Sequence, residues 1–338
     1  MNVRTTVLAA LSALALSPAA PAWERGEATT FARLPAGERN PEGLALDKRT
    51  GDVYVANFDF RGTNDGLGHV IVFNKEGKVR RVLSVQHSTP LLLGLDFHPG
   101  PTNALLVIDF GAQQVLNVDR RTGASTVFTK LDSAAGPNAL TFDKAGNVYI
   151  SDSFQGIIWR TPPTGGAATQ FASSPLLTTT GKPPFGANGM AFNHDFSFMF
   201  VANTGNDTIL KIPASGAPVV EFTNSINGAD GVAIDEQDNI WVCANQSDEI
   251  VVVDKTGKAI AKLGDFDGIG GRGEPRGFLF PASLVFSGEF VLVTNLSLDT
   301  TGFGFQTVDT QWTQQVKTFT VAKIKRRIPN LPDRRDDD

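Results

Sequence analysis

Four side chains with oxygen donors recur at one place in the chain: Glu42, Asn138, Asn188 and Asp230. Each stands four residues before an apolar strand position, Leu46, Phe142, Phe192 and Ile234 in turn. Two further copies of the place hold Leu93, before Phe97, and Ala282, before Phe286. Two carboxylates and two amide carbonyls form an oxygen-only set. Such a set suits one hard divalent cation, Ca²⁺ best, with water completing the shell. The set contains no His or Cys, which disfavours zinc and copper. The four histidines, His69, His87, His98 and His194, share no position of the repeat and read as surface or core residues. A competing reading is local. Glu42, Asn188 and Asp230 are each followed by Gly, and Asn-Gly and Asp-Gly shape turns on their own. Against it, Asn138 precedes Ala139, and Leu93 and Ala282 show that the place does not require a polar group.

The elements that must position these residues are a phrase repeated six times. Each copy is a small-residue lead-in, an apolar strand, a turn, and a second apolar strand ending in Asn or Asp. Pro41-Glu42-Gly43-Leu44-Ala45-Leu46-Asp47 followed by Val53-Tyr54-Val55-Ala56-Asn57 is the first copy. Asp230-Gly231-Val232-Ala233-Ile234-Asp235 followed by Ile240-Trp241-Val242-Cys243-Ala244-Asn245 is the fifth. The phrase recurs every 42 to 52 residues, the period of a propeller blade. Further strands with Gly-bearing hairpins follow, as at His69–Phe73 and Val79–Val82. The chain therefore reads as all-β: a six-bladed β-propeller with four-stranded blades. The strands at Thr29–Leu34 and Val316–Ile324 lie outside the repeats and are expected to close the ring. In such a ring the first strands line a central channel, so the four polar residues would meet at its mouth.

The second strands end in Asn57, Asp109, Asp152, Asn203, Asn245 and Asn295. That uniformity points to strand-to-loop caps. Asp152 and Asn203 are also the candidates for holding the metal ligands from behind.

The remaining segments set the boundaries. Residues 1–22 carry a short basic start, an apolar run at Val7–Leu16 and the small-residue pattern Ala20-Pro21-Ala22, the form of a secretory signal peptide cleaved near Ala22. The run is too short for a stable membrane span. The propeller is expected over 23–331, with a disordered charged tail at 332–338. A secreted or periplasmic location follows from the leader. The lone cysteine, Cys243, lies mid-strand and reads as a small buried apolar residue. A net charge of −5 gives no basic surface for nucleic acid.

The four polar residues in their blades resemble the SMP-30/gluconolactonase family of six-bladed propellers. Pro41-Glu42-Gly43-Leu44 is similar to its first-blade motif, Pro137-Asn138 to its middle-blade Asn, and Asn188-Gly189-Met190-Ala191-Phe192 to its fourth-blade motif. Asp230 to Asp235 followed by Asn239-Ile240-Trp241 is similar to its fifth-blade motif, with Asn239 in place of Gly. The resemblance spans residues 38 to 295. It implies one Ca²⁺ held by Glu42, Asn188 and Asp230, with Asn138 binding the metal directly or holding its water, and with Asp230 also the catalytic base. It further implies metal-dependent hydrolysis of a small-molecule lactone or ester. Neither the family's second-blade Arg nor a paraoxonase-type histidine pair has a match.

Three long loops would surround the same mouth: Phe58–Gly68, Ala172–Ala187 and Lys262–Pro281. Gly268–Gly273 precedes no helix and is not a phosphate loop. Phe303, Phe305 and Trp312 either line an apolar pocket or pack on blade six. Two rival readings keep the fold and change the function: a non-catalytic NHL-like binding propeller, and a strictosidine-synthase-like propeller.

Overall fold

The computed structural model describes residues 24–329 apart from 63, 64 and 101. The expected leader, its cleavage point and the charged tail lie outside these residues. Among the described residues the strands form six four-stranded antiparallel sheets and one two-stranded ribbon. Blade one is Pro41–Asp47, Asp52–Asn57, Gly68–Phe73 and Val79–Val85, running from the axis outward. The innermost strands of the other blades are Leu92–Phe97, Pro137–Phe142, Ala187–Phe192, Ala229–Ile234 and Pro281–Ser287. Each innermost strand packs against the next, and the sixth packs against the first. This is the six-bladed propeller expected from the repeat.

Blade six is completed from both ends of the chain. Its order is Thr29–Arg33, Thr320–Lys325, Phe290–Asn295 and Pro281–Ser287. Thr29 pairs with Lys323, and Arg33 with Thr320. The core lies between blades. Val55, Ile71 and Phe73 of blade one, for example, pack with Leu292 and Val321 of blade six. Among the described residues no helix is long and apolar enough to cross a membrane.

The second acidic residue of the phrase is structural. Asp235 takes the Trp241 Nε1 proton at 2.9 Å and the Asn239 backbone and side-chain N–H groups, pinning the hairpin between the first two strands. Asp143 does the same in blade three with Asn147 and Tyr149. One segment departs from expectation. The stretch 262–281 is not a plain loop: Phe266–Ile269 and Pro275–Gly277 pair as a ribbon between blades five and six. Gly270–Gly273 forms its turn.

Candidate metal centre

Every innermost strand bulges at the same point. Pro41 pairs with Asn57 and Leu44 with Val55, so three steps on one strand meet two on its partner. The same shift occurs at Leu92/Leu95, Pro137/Leu140, Ala187/Met190, Ala229/Val232 and Pro281/Leu284. The extra residue is the ring position or the one after it. A bulge redirects side chains that would otherwise alternate across the sheet, and here it does so six times around one axis.

The glycines after the ring positions are explained by packing rather than by turns. Gly43, Gly189 and Gly231 lie inside strands, and none has a positive φ. A Cβ on Gly189 would stand 2.3 Å from the Asp230 carbonyl oxygen, and one on Gly231 2.4 Å from that of Ala282. On Gly43 it would stand 2.2 Å from the Leu93 oxygen. Neighbouring innermost strands approach too closely for a side chain there. Blades three and six carry Ala139 and Ser283 instead. There a hydroxyl on the second strand catches the bulged amide: Ala139 N donates to Ser151 Oγ and Ser283 N to Thr294 Oγ1, both at 2.9 Å.

The bulges bring the four sequence-predicted residues to one cavity. Glu42, Asn138, Asn188 and Asp230 line it together with Leu93. Each of the four is about 5% exposed or less. The cavity is small, about 40 Å³, room for an ion or a few waters.

A set of hydrogen bonds decides which way the amides point. Ser153 Oγ donates its proton to the Ala187 carbonyl at 2.7 Å, so toward Asn138 it can only accept. Asn138 Nδ2 donates to it at 3.3 Å, which leaves Asn138 Oδ1 facing the other way. Thr204 repeats the device: its hydroxyl donates to the Ala229 carbonyl at 2.7 Å and accepts from Asn188 Nδ2 at 2.9 Å. Asn245 is held by Gln246, whose Nε2 donates to Asn245 Oδ1, and its own Nδ2 donates to Asp230 Oδ2 at 2.8 Å. Among the described residues Asn138 Oδ1 and Glu42 Oε2 are buried without a hydrogen-bond partner. Leaving such atoms unpaired is costly, and a cation between them would satisfy both.

Electrostatics point the same way. Burial, and then the charge of Asp230, holds Glu42 well above the usual carboxylate range. Burial pushes Asp230 up to about 7, against hydrogen bonds from Asn245 and Asn188 that lower it. Two carboxylates in one dry cavity resist ionising together, and a divalent cation removes that resistance. Among the described residues no group of three or more His, Cys, Asp and Glu forms a metal cluster. The quartet has only two such residues and takes its other donors from amides.

Ser153, Thr204 and Asn245 were not singled out as site residues from sequence. Their signal was present: each adjoins or ends a second strand, and Ser153 and Thr204 stand where blades one, two and six have Phe58, Phe110 and Leu296. Asp152 and Asn203 turn elsewhere. Asp152 accepts from the Gly136, Phe154 and Gln155 amides and from Trp159 Nε1. Asn203 donates to the Leu176 and Thr178 carbonyls. Cys243 is fully buried, and burial pushes its thiol well up.

The cavity's rim is apolar. Phe58, Phe185, Phe280, Leu298, Phe303 and Phe305 stand over the polar floor. Phe303 and Phe305 thus line the pocket, whereas Trp312 packs on Phe266 of the ribbon, ring centres 5.5 Å apart.

Comparison with known proteins bears out the resemblance read from the sequence. Residues 106–264 match the model of the SMP-30/Gluconolactonase/LRE-like region, a stretch that includes Asn138, Asn188 and Asp230. No curated protein sequence matches the chain. Among solved structures, a luciferin-regenerating enzyme superposes with a TM-score of 0.65 at 16% identity, covering 89% of this chain and 95% of its own. A gluconolactonase from Xanthomonas campestris gives 0.60 at 15% identity, covering 91% and 99%. A calcium-binding protein, regucalcin, from Agrobacterium tumefaciens gives 0.60 at 17% identity, covering 89% and 96%. At these identities the likeness is one of fold.

Proposed function

We propose that the protein is a divalent-cation-dependent hydrolase of lactones or esters. Its cation, Ca²⁺ by the chemistry of the donors, would be held by Glu42, Asn138, Asn188 and Asp230. The observation that carries the reading is the pair of buried, unpartnered oxygens, Glu42 Oε2 and Asn138 Oδ1, at a cavity shared with a second carboxylate. The match to a family that includes gluconolactonases, and the fold shared with a gluconolactonase and a calcium-binding regucalcin, support it. The leader expected at 1–22 would send the protein to the periplasm or outside the cell.

When bound, the cation would polarise an ester or lactone carbonyl and offset charge developing on its oxygen. The chain's own groups do the rest. Ser153 and Thr204 accept from the Asn138 and Asn188 amide nitrogens and so fix the rotation of both amides. Asn245 fixes one oxygen of Asp230, which leaves that carboxylate oriented to take a proton from an attacking water. The phenylalanine rim limits bulk water at the floor.

The experiment is a thermal melt with EDTA and with added Ca²⁺, followed by hydrolysis assays on lactones and aryl esters. The protein should melt higher with Ca²⁺, as expected for a ligand that binds only the folded state. Asp230→Ala should abolish both the shift and the hydrolysis. An Asp230→Ala protein with full activity would sink the assignment. A Ca²⁺ shift without turnover of any substrate would favour the binding propeller instead.

A further inference from the structure

The phenylalanines over the floor do not stop at the cavity. Phe303 lies against Phe60 at 5.0 Å between ring centres and against Phe58 at 6.3 Å. Phe58 meets Phe110 at 6.1 Å. Phe110 meets Phe154 at 5.8 Å and Phe185 at 6.4 Å, and these last two stack at 5.9 Å. The six rings form one continuous crescent that starts inside the pocket, at Phe58, Phe185 and Phe303, and runs out to solvent. Two of the rings are bare: Phe154, outside the pocket, is 50% exposed, and Phe303, at its edge, 43%. A connected aromatic surface ending in water marks a contact site on a soluble protein.

The polar groups nearest the crescent are already engaged: the Arg61 guanidinium, 5.5 Å from the Phe60 ring centre, is paired with Asp299 at 2.9 Å. Thr204 and Asn245, the other polar residues of the lining, are bonded to the quartet and to backbone or Gln246. A polyhydroxylated ring placed on the crescent would lose water from its hydroxyls against phenylalanine faces. An alkyl or aryl group placed there would bury apolar surface on both sides. The cavity is small, and the ring surface extends beyond its lining to Phe60, Phe110 and Phe154.

Resting on the hydrolase reading above, we propose that the substrate carries an apolar acyl, alkyl or aryl substituent. The carbonyl head enters the cavity and the substituent lies along Phe58, Phe110, Phe154 and Phe185 or along Phe303 and Phe60. The crescent thereby sets specificity against sugar lactones.

The test separates binding from turnover. Ethyl, hexyl and decyl γ-lactams, which resist hydrolysis, are titrated by calorimetry into the full Ca²⁺-supplemented protein. Affinity should rise by about fourfold for each methylene that the crescent covers. Phe154→Ser together with Phe303→Ser should flatten that gain, and Phe154→Leu with Phe303→Leu should keep most of it. Affinity independent of chain length overturns the proposal. In parallel, kcat/KM is compared for the matching γ-lactones and for gluconolactone. A preference for gluconolactone overturns the proposal but leaves the hydrolase reading intact. Chain-length-dependent lactam binding with no lactone turned over supports the crescent's role and removes the hydrolase reading.

Discussion

The side chains that shape this cavity are as much the ones behind its polar quartet as the quartet itself. Glu42, Asn138, Asn188 and Asp230 could be read from sequence because one position of a six-fold phrase breaks its own symmetry. Ser153 and Thr204 carried a fainter mark, a hydroxyl where other blades have Phe58, Phe110 and Leu296, and their contact with Asn138 and Asn188 depends on a bulge one strand away. The glycines were legible as residues and misleading as signals: beside Asn and Asp they imitate turns, yet Gly189 and Gly231 answer a backbone 2.3 to 2.4 Å from where a Cβ would be. Two outcomes follow. Thr204→Ala should cost about 1 kcal/mol in urea unfolding and lower Ca²⁺ affinity at least about tenfold by calorimetry. Thr204→Ser should restore both, and unchanged affinity in the alanine variant would show that the hydroxyl does not orient Asn188. Gly189→Ala should destabilise by roughly 1–3 kcal/mol, as overpacking does, whereas Ala139→Gly should cost no more than about 1 kcal/mol.

At the level of elements, the loops around the mouth depart most from expectation. The 262–281 segment is Gly-rich and its strands are only four and three residues long, so periodicity has nothing to register there. The segment that carries Phe303 and Phe305 is tied down by an interaction no motif announces. Asp248, in the turn after the second strand of blade five, and Asp309, at the start of the short helix Thr310–Thr313, are both buried, and the charge of Asp309 acts on Asp248. Asp248 also accepts from the Phe280 amide at 2.7 Å, beneath the rim. Burial, then the charge of Asp309, with Asp265 adding to it, pushes Asp248 up to about 8. Its unfolded value stays near 3.8, so the folded protein binds the extra proton. The stability this contributes is complete below about pH 4 and lost as pH rises toward about 8. With Ca²⁺ held constant, the melting temperature should fall across that window. Asp248→Asn, which suits the residue's φ of 52° and keeps a proton donor toward Asp309, should flatten the fall. An identical pH profile in the variant would exclude the pair as its source.

The whole molecule is a ring whose seam is legible, since Thr29–Leu34 and Val316–Ile324 are strands left over once six phrases are counted. The seam is stitched by more than a strand pair. Arg25 donates to Glu249 at 2.7 Å, and Gly264 N donates to the Arg25 carbonyl. Removing residues 24–34 takes Ala32 and Leu34 out of the core between blades six and one. That loss should amount to roughly 2–4 kcal/mol, about 1.5–3 for Leu34 and about 0.8 for the Ala32 methyl, measurable as a lower urea midpoint. A peptide of residues 27–35 added in trans should recover part of it by strand addition. No recovery would mean that Thr29–Arg33 stabilises the seam only when covalently attached to blade one. The seam also has a consequence in time. Thr29–Arg33 is among the first segments to be synthesised, and its partner Thr320–Lys325 among the last. No partly made chain can close. Five blades must wait with an open flank, and the slowest contact in the molecule joins its most distant segments. The cavity, whose lining comes from all six blades, is therefore complete only once Thr320–Lys325 has paired.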